Sequence, residues 1–387
     1  MTHTDGLISL TVPHRLRITR DVFAPGNETL SEIWPGQTSG SGGDSGGGGG
    51  RRIAVFVDDG LAEAQPQLLQ RVRRWFALHP DSPRLTGLHT LPGGERAKNG
   101  LEVWQHVVHQ IIEANVDRQS FIMAIGGGAV LDVVGFAAAT VHRGLRLVRV
   151  ATTTLAQADS AVGVKCGVNL RGVKNMLGSF AVPWAVINDT AMLDTLPERD
   201  WRAGFAEAVK VALIKDAAFF EEIVRWVEAI RYRDEPAYRI IARSAELHYR
   251  HILSGGDPFE LGSARPLDLG HWSAHKLESM SGYEIAHGEA VAIGVALDAM
   301  YAAELGHLTG EQARRVCRVL TQLGFSLEHP LLADVQTLYR GLEEFREHMG
   351  GRLTLVLPRG IGGLIEVHEV DRVAMDRAIK GLRPPHP

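Results

Sequence analysis

Cysteine is almost absent from this sequence. Only Cys166 and Cys317 occur in 387 residues, and neither belongs to a C-x-x-C pair, so no disulfide framework is indicated. That usage predicts a reducing, cytoplasmic setting. Long apolar runs are missing too. No stretch of about 18 apolar residues occurs, and the N-terminal MTHTDGLISLTVPHRLRITRD has no sustained apolar core, which predicts neither a membrane span nor a signal peptide. An excess of one charge is also lacking: 41 basic residues face 45 acidic ones, for a formal net charge of −4. With no basic block and no aromatic-interleaved basic stripe, nucleic acid is not expected as a partner. No repeat of fixed period appears, which argues against a solenoid or propeller.

What is present is enough chain for two domains and a large core. Residues 1–51 read as an N-terminal segment that carries one low-complexity tract, Ser39–Gly50. Glycine tracts have high chain entropy and nothing to bury, so this one reads as a flexible loop. It precedes a strand, RRIAVFVDD, which is the wrong order for a phosphate cradle. Over residues 52–195, short apolar runs (52–57, 121–126, 145–150 and 185–189) alternate with segments of helical apolar spacing. The pattern predicts parallel strands with crossover helices, an α/β Rossmann-like domain. Residues 196–387 are mainly helix-periodic, and RLTLVLP (352–358) is the only strand-like run among them.

The densest chemistry lies in that second half. Glu207 and Lys210 stand three apart in RAGFAEAVK, an alanine-rich helical stretch, so they share a face and are expected to be buried. His271, His275 and His287 follow in LGHWSAHKLESMSGYEIAHGEAVAIG. One carboxylate with two or three imidazoles suits Zn²⁺ and leaves a coordination position open. Spacing alone does not say whether His271 and His275 both bind metal. In the first half, FIMAIGGGAVLD is a strand, a triple glycine (Gly126, Gly127, Gly128) and a helix with Asp132 read in its first turn, an arrangement that admits a pyrophosphate. Asp58 ends a strand, Glu95 and Lys98 lie in PGGERAK, and Thr152 and Thr153 follow another strand. Such strand ends are where an open α/β sheet binds its ligand. Asp159, Lys165, Asn169, Lys174 and Asn175 crowd a stretch of small residues, which suits an anionic, hydroxylated substrate such as a sugar phosphate. Arg143, in the turn HRG, is a further candidate partner for phosphate.

In this order PGGERAK, GGGAVLDVVGFAAAT, HRG, TTTLAQADSAVGVKCGVN, KNMLGSF, LPERDWRAGFAEAVK and LGHWSAH…HGEAVA resemble the 3-dehydroquinate synthase superfamily, the sugar-phosphate cyclases, from about Arg52 to about Gly363. The resemblance implies an NAD-binding α/β domain, a helical metal domain and a homodimer acting on a seven-carbon sugar phosphate. By matching position it makes Glu207, His271 and His287 the ligands of Zn²⁺ (or Co²⁺), with His275 near the substrate phosphate. It makes Asp58, Glu95, Lys98, Gly126–Gly128, Asp132, Thr152, Thr153 and Lys174 contacts of NAD. Asp159, Lys165, Asn175, Lys210 and Arg143 become substrate contacts, Arg143 in the partner subunit's site. The implied reaction is that of a phosphate-eliminating carbon–oxygen lyase: alcohol oxidation, β-elimination of phosphate, re-reduction and intramolecular aldol closure, with NAD restored each turnover. A metal-dependent polyol dehydrogenase is the alternative.

Departures from the family pattern concentrate in one region. Where 3-dehydroquinate synthases read R-x-x-L-N-x-G-H, this chain has SARPLDLGH, with Ala264 for the arginine, Arg265 one residue late and Asp268 for the asparagine. Arg250 stands where a lysine is expected, and EFREHMGG replaces a DKK. DLGHWSAHKLE with EFREHMGG is similar to the EboD-type branch of the superfamily. These positions would hold a substrate carboxylate and phosphate, so the changes bear on which sugar is used.

Overall fold

The structure is a computed structural model that describes residues 5–6, 10–34, 50–171, 173–255, 259, 266–348 and 351–382. Residues 39–49 of the glycine tract lie outside the described residues, as do Ala264, Arg265, Met349 and Gly350. Two compact units emerge: residues 1–151 with 164–189, and residues 152–163 with 190–387.

The first unit is a six-stranded parallel sheet with a separate hairpin. Its elements are β1 (Leu16–Thr19), α1 (Thr29–Ile33), β2 (Arg52–Asp58), α2 (Asp59–Ala64), α3 (Leu68–Leu78), β3 (Arg84–Leu91), α4 (Glu102–Glu113), β4 (Phe121–Gly126), α5 (Gly128–Thr140), β5 (Arg146–Ala151), β6 (Lys165–Leu170), β7 (Val173–Phe180) and β8 (Ala185–Asp189). The strand order is β1-β8-β5-β4-β2-β3, with every pairing parallel, as the alternation of strands and helices predicts. Interior strands such as β4 are buried along their whole length, which is why they read as unbroken apolar runs. The chain leaves β2 toward β3 on one side and returns to β4 on the other. This reversal is a topological switch point, and Asp58 and Gly126 end the two strands that flank it.

Four strands departed from the sequence reading. β1 and β3 are the two edges of the sheet and are only partly buried, so neither carries an apolar run. Residues 165–180 form the antiparallel hairpin β6–β7, whose second strand is largely exposed.

The second unit comprises α6 (Glu198–Lys215), α7 (Ala217–Arg225), α8 (Val227–Arg231), α9 (Glu235–Ser254), α10 (His271–Met280), α11 (His287–Glu304), α12 (Gly310–Gln322), α13 (Val335–His348), β9 (Leu355–Pro358), β10 (Leu364–Val367) and α14 (Arg372–Gly381). It is mainly helical, as expected, but β9 has a partner: β10 pairs with it antiparallel. The core forms around α6 and α11, which are buried nearly all round. Small side chains let them come close. A Cβ on Gly288 of α11 would lie 2.6 Å from the Cα of Ala203 of α6.

Candidate active site

In the first unit the loop after β4 is built for close approach. Gly127 caps α5 without any side-chain hydrogen bond, so the first-turn N–H groups and the positive end of the helix are left for a ligand. A Cβ on Gly126 would lie 2.9 Å from the Val130 Cβ and 3.2 Å from the Asp58 Cβ, so only glycine fits where the backbone passes the switch point. α5 starts at Gly128, which places Asp132 one turn further along than the sequence suggested. There Asp132 Oδ2 accepts from Lys98 Nζ at 2.6 Å, and Lys98 also donates to Asn175 Oδ1 at 2.7 Å. Asn169 donates from Nδ2 to Glu95 Oε1 (2.8 Å) and accepts the Asn175 N–H (2.9 Å), while Lys174 Nζ stands 3.9 Å from the same Glu95 oxygen. Glu95, Lys98, Asp132, Lys174 and Asn175 therefore form one polar network. Asp58 caps α2 by accepting from Leu61 N–H, and burial pushes its carboxyl up.

Two candidates of this unit stand apart. Lys165 pairs with Phe180 at the far end of the hairpin from Val173, so four residues of strand, about 13 Å, separate it from the level of Asn169. Lys165, Lys174 and Asn175 are thus not one cluster, although their spacing suggested it. Arg143 is exposed, in a left-handed conformation (φ +62°), in the turn between α5 and β5. That turn is at the N-terminal edge of the strands, and the 13-residue α5, roughly 20 Å long, separates it from the glycine loop.

In the second unit, residues 152–163 carry Thr152, Thr153 and Asp159. Thr153 Oγ1 accepts from Ala156 N–H (3.1 Å) in the turn that leads to Asp159. Asp159 Oδ1 meets His248 Nδ1 of α9 at 2.6 Å. Burial alone would push the Asp159 carboxyl up, but the Lys210 ammonium and His248 outweigh it and hold the group well below the usual carboxylate range. Lys210 and Glu207 are wholly buried on α6 and ion-paired through Glu207 Oε2. Burial would lower Lys210, yet Glu207 and Asp159 keep it raised and charged.

Glu207 Oε1 is the decisive atom. It is buried, accepts no hydrogen bond among the described residues, and faces Nε2 of His271 and Nε2 of His287 at 3.8 Å each. Those separations exceed hydrogen-bond reach, and an unsatisfied buried carboxylate oxygen is costly. Burial pushes the Glu207 carboxyl up, and Lys210 only partly offsets this. A divalent cation would resolve the conflict. Donor atoms around a tetrahedral ion with bonds near 2.0–2.1 Å stand roughly 3.4 Å apart, close to the spacing seen here. His271 is suited to the same end: burial, then Lys210 and the neighbouring imidazoles, hold it well below its ordinary value and hence neutral, the form that ligates a metal. The residues present therefore fit Zn²⁺ or Co²⁺. His275, one turn along α10, is exposed, with its ring centroid 5.4 Å from that of His271 and 5.9 Å from that of His287.

Three neighbours of this site went unread in the sequence. His248 sits on the buried face of α9 with Ile241, Ser244 and Ala245, a polar break in an apolar stripe that was a usable signal. Asp298 lies among the buried residues of α11 and gave the same kind of signal. Glu278, two turns beyond His271 on α10, looks like any helical acid, and nothing in the sequence marks it.

Known proteins resemble this chain across both units. Residues 88–203 match the family model for the 3-dehydroquinate synthase N-terminal region and residues 204–346 that for its C-terminal region. A 3-dehydroquinate synthase of Coxiella burnetii is 37% identical over 294 residues, 76% of this chain and 80% of the relative. A 2-epi-5-epi-valiolone synthase of Streptomyces glaucescens is 33% identical over 362 residues, 93% of this chain and 88% of the relative. Among solved structures, a 2-epi-5-epi-valiolone synthase of Streptomyces hygroscopicus with NAD⁺ and Zn²⁺ bound superposes with a TM-score of 0.84 at 26% identity, covering 98% of this chain and 99% of that one. The parallel sheet with its glycine turn, the helical unit and the sequence likeness across both place the chain in the 3-dehydroquinate synthase family.

Proposed function

We propose that this protein is a metal- and NAD-dependent sugar-phosphate cyclase, a phosphate-eliminating carbon–oxygen lyase. The observation that carries the reading is Glu207 Oε1, buried without a hydrogen bond and aimed at two imidazole nitrogens beside a charged lysine. When bound, Zn²⁺ or Co²⁺ would supply Lewis acidity at a ring alcohol, and NAD⁺ a hydride acceptor restored within each turnover. Glu207, His271 and His287 would hold the metal. Asp58, Gly126–Gly128, Thr152, Thr153 and the network of Glu95, Lys98, Asp132 and Lys174 would hold NAD. Lys210 offers a buried cation to an anionic oxygen, and Asp159, kept ionised beside His248, accepts from a substrate hydroxyl. His275, Lys165 and Asn175 complete the substrate contacts. Arg143, on the far edge of its sheet, is read as reaching a partner subunit's site in a homodimer. With two cysteines, both free, the protein suits a reducing cytoplasm. No helix among the described residues is long and apolar enough to cross a membrane.

The substrate is read as a seven-carbon sugar phosphate without a carboxylate. Asp268 acts electrostatically on Lys210, as Asp159 and Glu207 do, so three carboxylates already share that ammonium. A fourth carboxylate brought by substrate would meet repulsion of order 4 kcal/mol at about 4 Å and an effective dielectric near 20, before Lys210 and a bound cation offset it. Purified protein with Zn²⁺ and catalytic NAD⁺ should therefore release phosphate from sedoheptulose 7-phosphate faster than from 3-deoxy-arabino-heptulosonate 7-phosphate, without NADH accumulating. Clear preference for the carboxylate-bearing sugar would restore the 3-dehydroquinate synthase reaction. One NADH per product would instead favour the dehydrogenase reading.

A further inference from the structure

The two histidines of the candidate metal group open two different helices, and each is tied down from the other one. His271 is the first residue of α10 and His287 the first of α11. Glu278, two turns along α10 and buried, has Oε2 3.3 Å from His287 Nδ1. In return Asp298, three turns along α11 and buried, accepts from Gly270 N–H at 2.7 Å and from Trp272 Nε1–H at 2.9 Å, the residues on either side of His271. We infer that Glu278 and Asp298 are positioning residues for the metal group, one carboxylate given by each helix to the histidine of the other. The inference rests on reading Glu207, His271 and His287 as metal ligands.

Ring chemistry supports it. A histidine that ligates through one nitrogen needs an acceptor for the N–H of the other, and that acceptor sets tautomer and ring angle. Glu278 provides this for His287, and the Leu269 carbonyl oxygen, 3.1 Å from Nδ1, provides it for His271. Both rings then carry their proton on Nδ1 and turn Nε2 toward Glu207 Oε1. His271, as the first helical residue, goes where Gly270 and Trp272 go. Gly270 is left-handed (φ +78°), and a Cβ there would lie 2.6 Å from Val295 N, so its path has no slack. Asp298 clamps both of these residues, and no cation pairs with it among the described residues. Burial pushes its carboxyl up to about 7 against the pull of Trp272 and Gly270, so the acid sits here at a cost that packing alone does not explain.

The test uses full-length protein stripped of metal, with Zn²⁺ affinity read by competition with a chromophoric chelator and the site's geometry read from the Co²⁺ visible spectrum. Thermal midpoints of the stripped proteins report stability separately. Glu278→Ala should weaken Zn²⁺ roughly 10–100-fold, and Glu278→Gln should recover part of this because its amide oxygen still accepts from Nδ1–H. Asp298→Ala should weaken Zn²⁺ and shift the Co²⁺ bands. Trp272→Phe removes one donor, keeps an aromatic ring, and should do the same to a smaller degree if Asp298→Ala fails to fold. Leu277→Ala, a core change in α10, should lower the midpoint with the Zn²⁺ affinity unchanged. The inference is overturned if Glu278→Ala binds Zn²⁺ like the unaltered protein, or if Leu277→Ala causes the same loss. Failure of the unaltered protein to bind Zn²⁺ would overturn the metal reading itself.

Discussion

Glu207 brings a carboxylate into a helix whose inward positions are otherwise apolar except for Lys210, and that lysine offsets only part of the burial. His271 is held neutral and Lys210 offsets the burial only in part, so the site should favour a divalent cation. Removing any one of three strong ligands leaves too few to hold it. Metal analysis of Glu207→Ala and of His271→Ala, purified with Zn²⁺ present, should show near-stoichiometric loss of metal. Full occupancy in either variant would remove that residue from the ligand set. At this scale much was legible. A Glu and a Lys three apart in an alanine-rich helix, followed by three histidines close together, stand out by residue type and spacing. Glu278 did not, because its meaning lies in the imidazole it faces, nine residues away in sequence.

At the scale of elements, the second unit depends on how its helices begin. Asp216 is one such start. Its Oδ1 accepts from Phe219 N–H at 3.1 Å, capping α7, while Oδ2 pairs with Arg243 of α9 at 3.0 Å. Burial pushes this carboxyl up, but the Phe219 N–H and Arg243 outweigh it and hold it below its ordinary value. A carboxyl lowered on folding contributes fully above its unfolded pKa, near 3.9, and loses that contribution as pH falls through the lower folded value. Asp216→Ala should therefore cost about 1 kcal/mol near neutral pH, and the cost should shrink as the pH drops below about 4. Urea unfolding midpoints of both proteins at several pH values check this, and a gap that stays constant would assign the effect to packing. Helices of this unit were legible because their apolar spacing runs for several turns. β1 and β10 were not: each has four residues that are only partly buried and show no apolar run, whereas β9, equally short, is buried throughout and reads as one.

At the scale of the whole molecule, the position of Arg143 has a consequence for assembly. It lies at the sheet edge opposite Asp58 and Gly126, so the proposed role of Arg143 in a partner subunit's site can be tested by complementation. Arg143→Ala and Lys210→Ala should each be inactive alone. Mixed, unfolded and refolded together, they should regain activity, since one site in each mixed dimer has both native residues. Full activity of Arg143→Ala alone, or no recovery on mixing, would rule out a role across subunits.

The sequence by itself determined the class of each half, because alternating apolar runs and sustained helical spacing are local properties that tertiary packing only had to accept. It also carried residue types, a glutamate and several histidines, that suit a divalent ion. Tertiary structure decided which polar residues meet. It brought His248 to Asp159 from 89 residues away and joined Lys98 to Asn175 across 77. It also separated Lys165 from Lys174 along a hairpin, although they are close in sequence. Spacing along a chain predicts neighbours only within one helix turn or strand pair. Beyond that, burial and hydrogen-bond satisfaction choose the partner, and those are settled only when the elements pack.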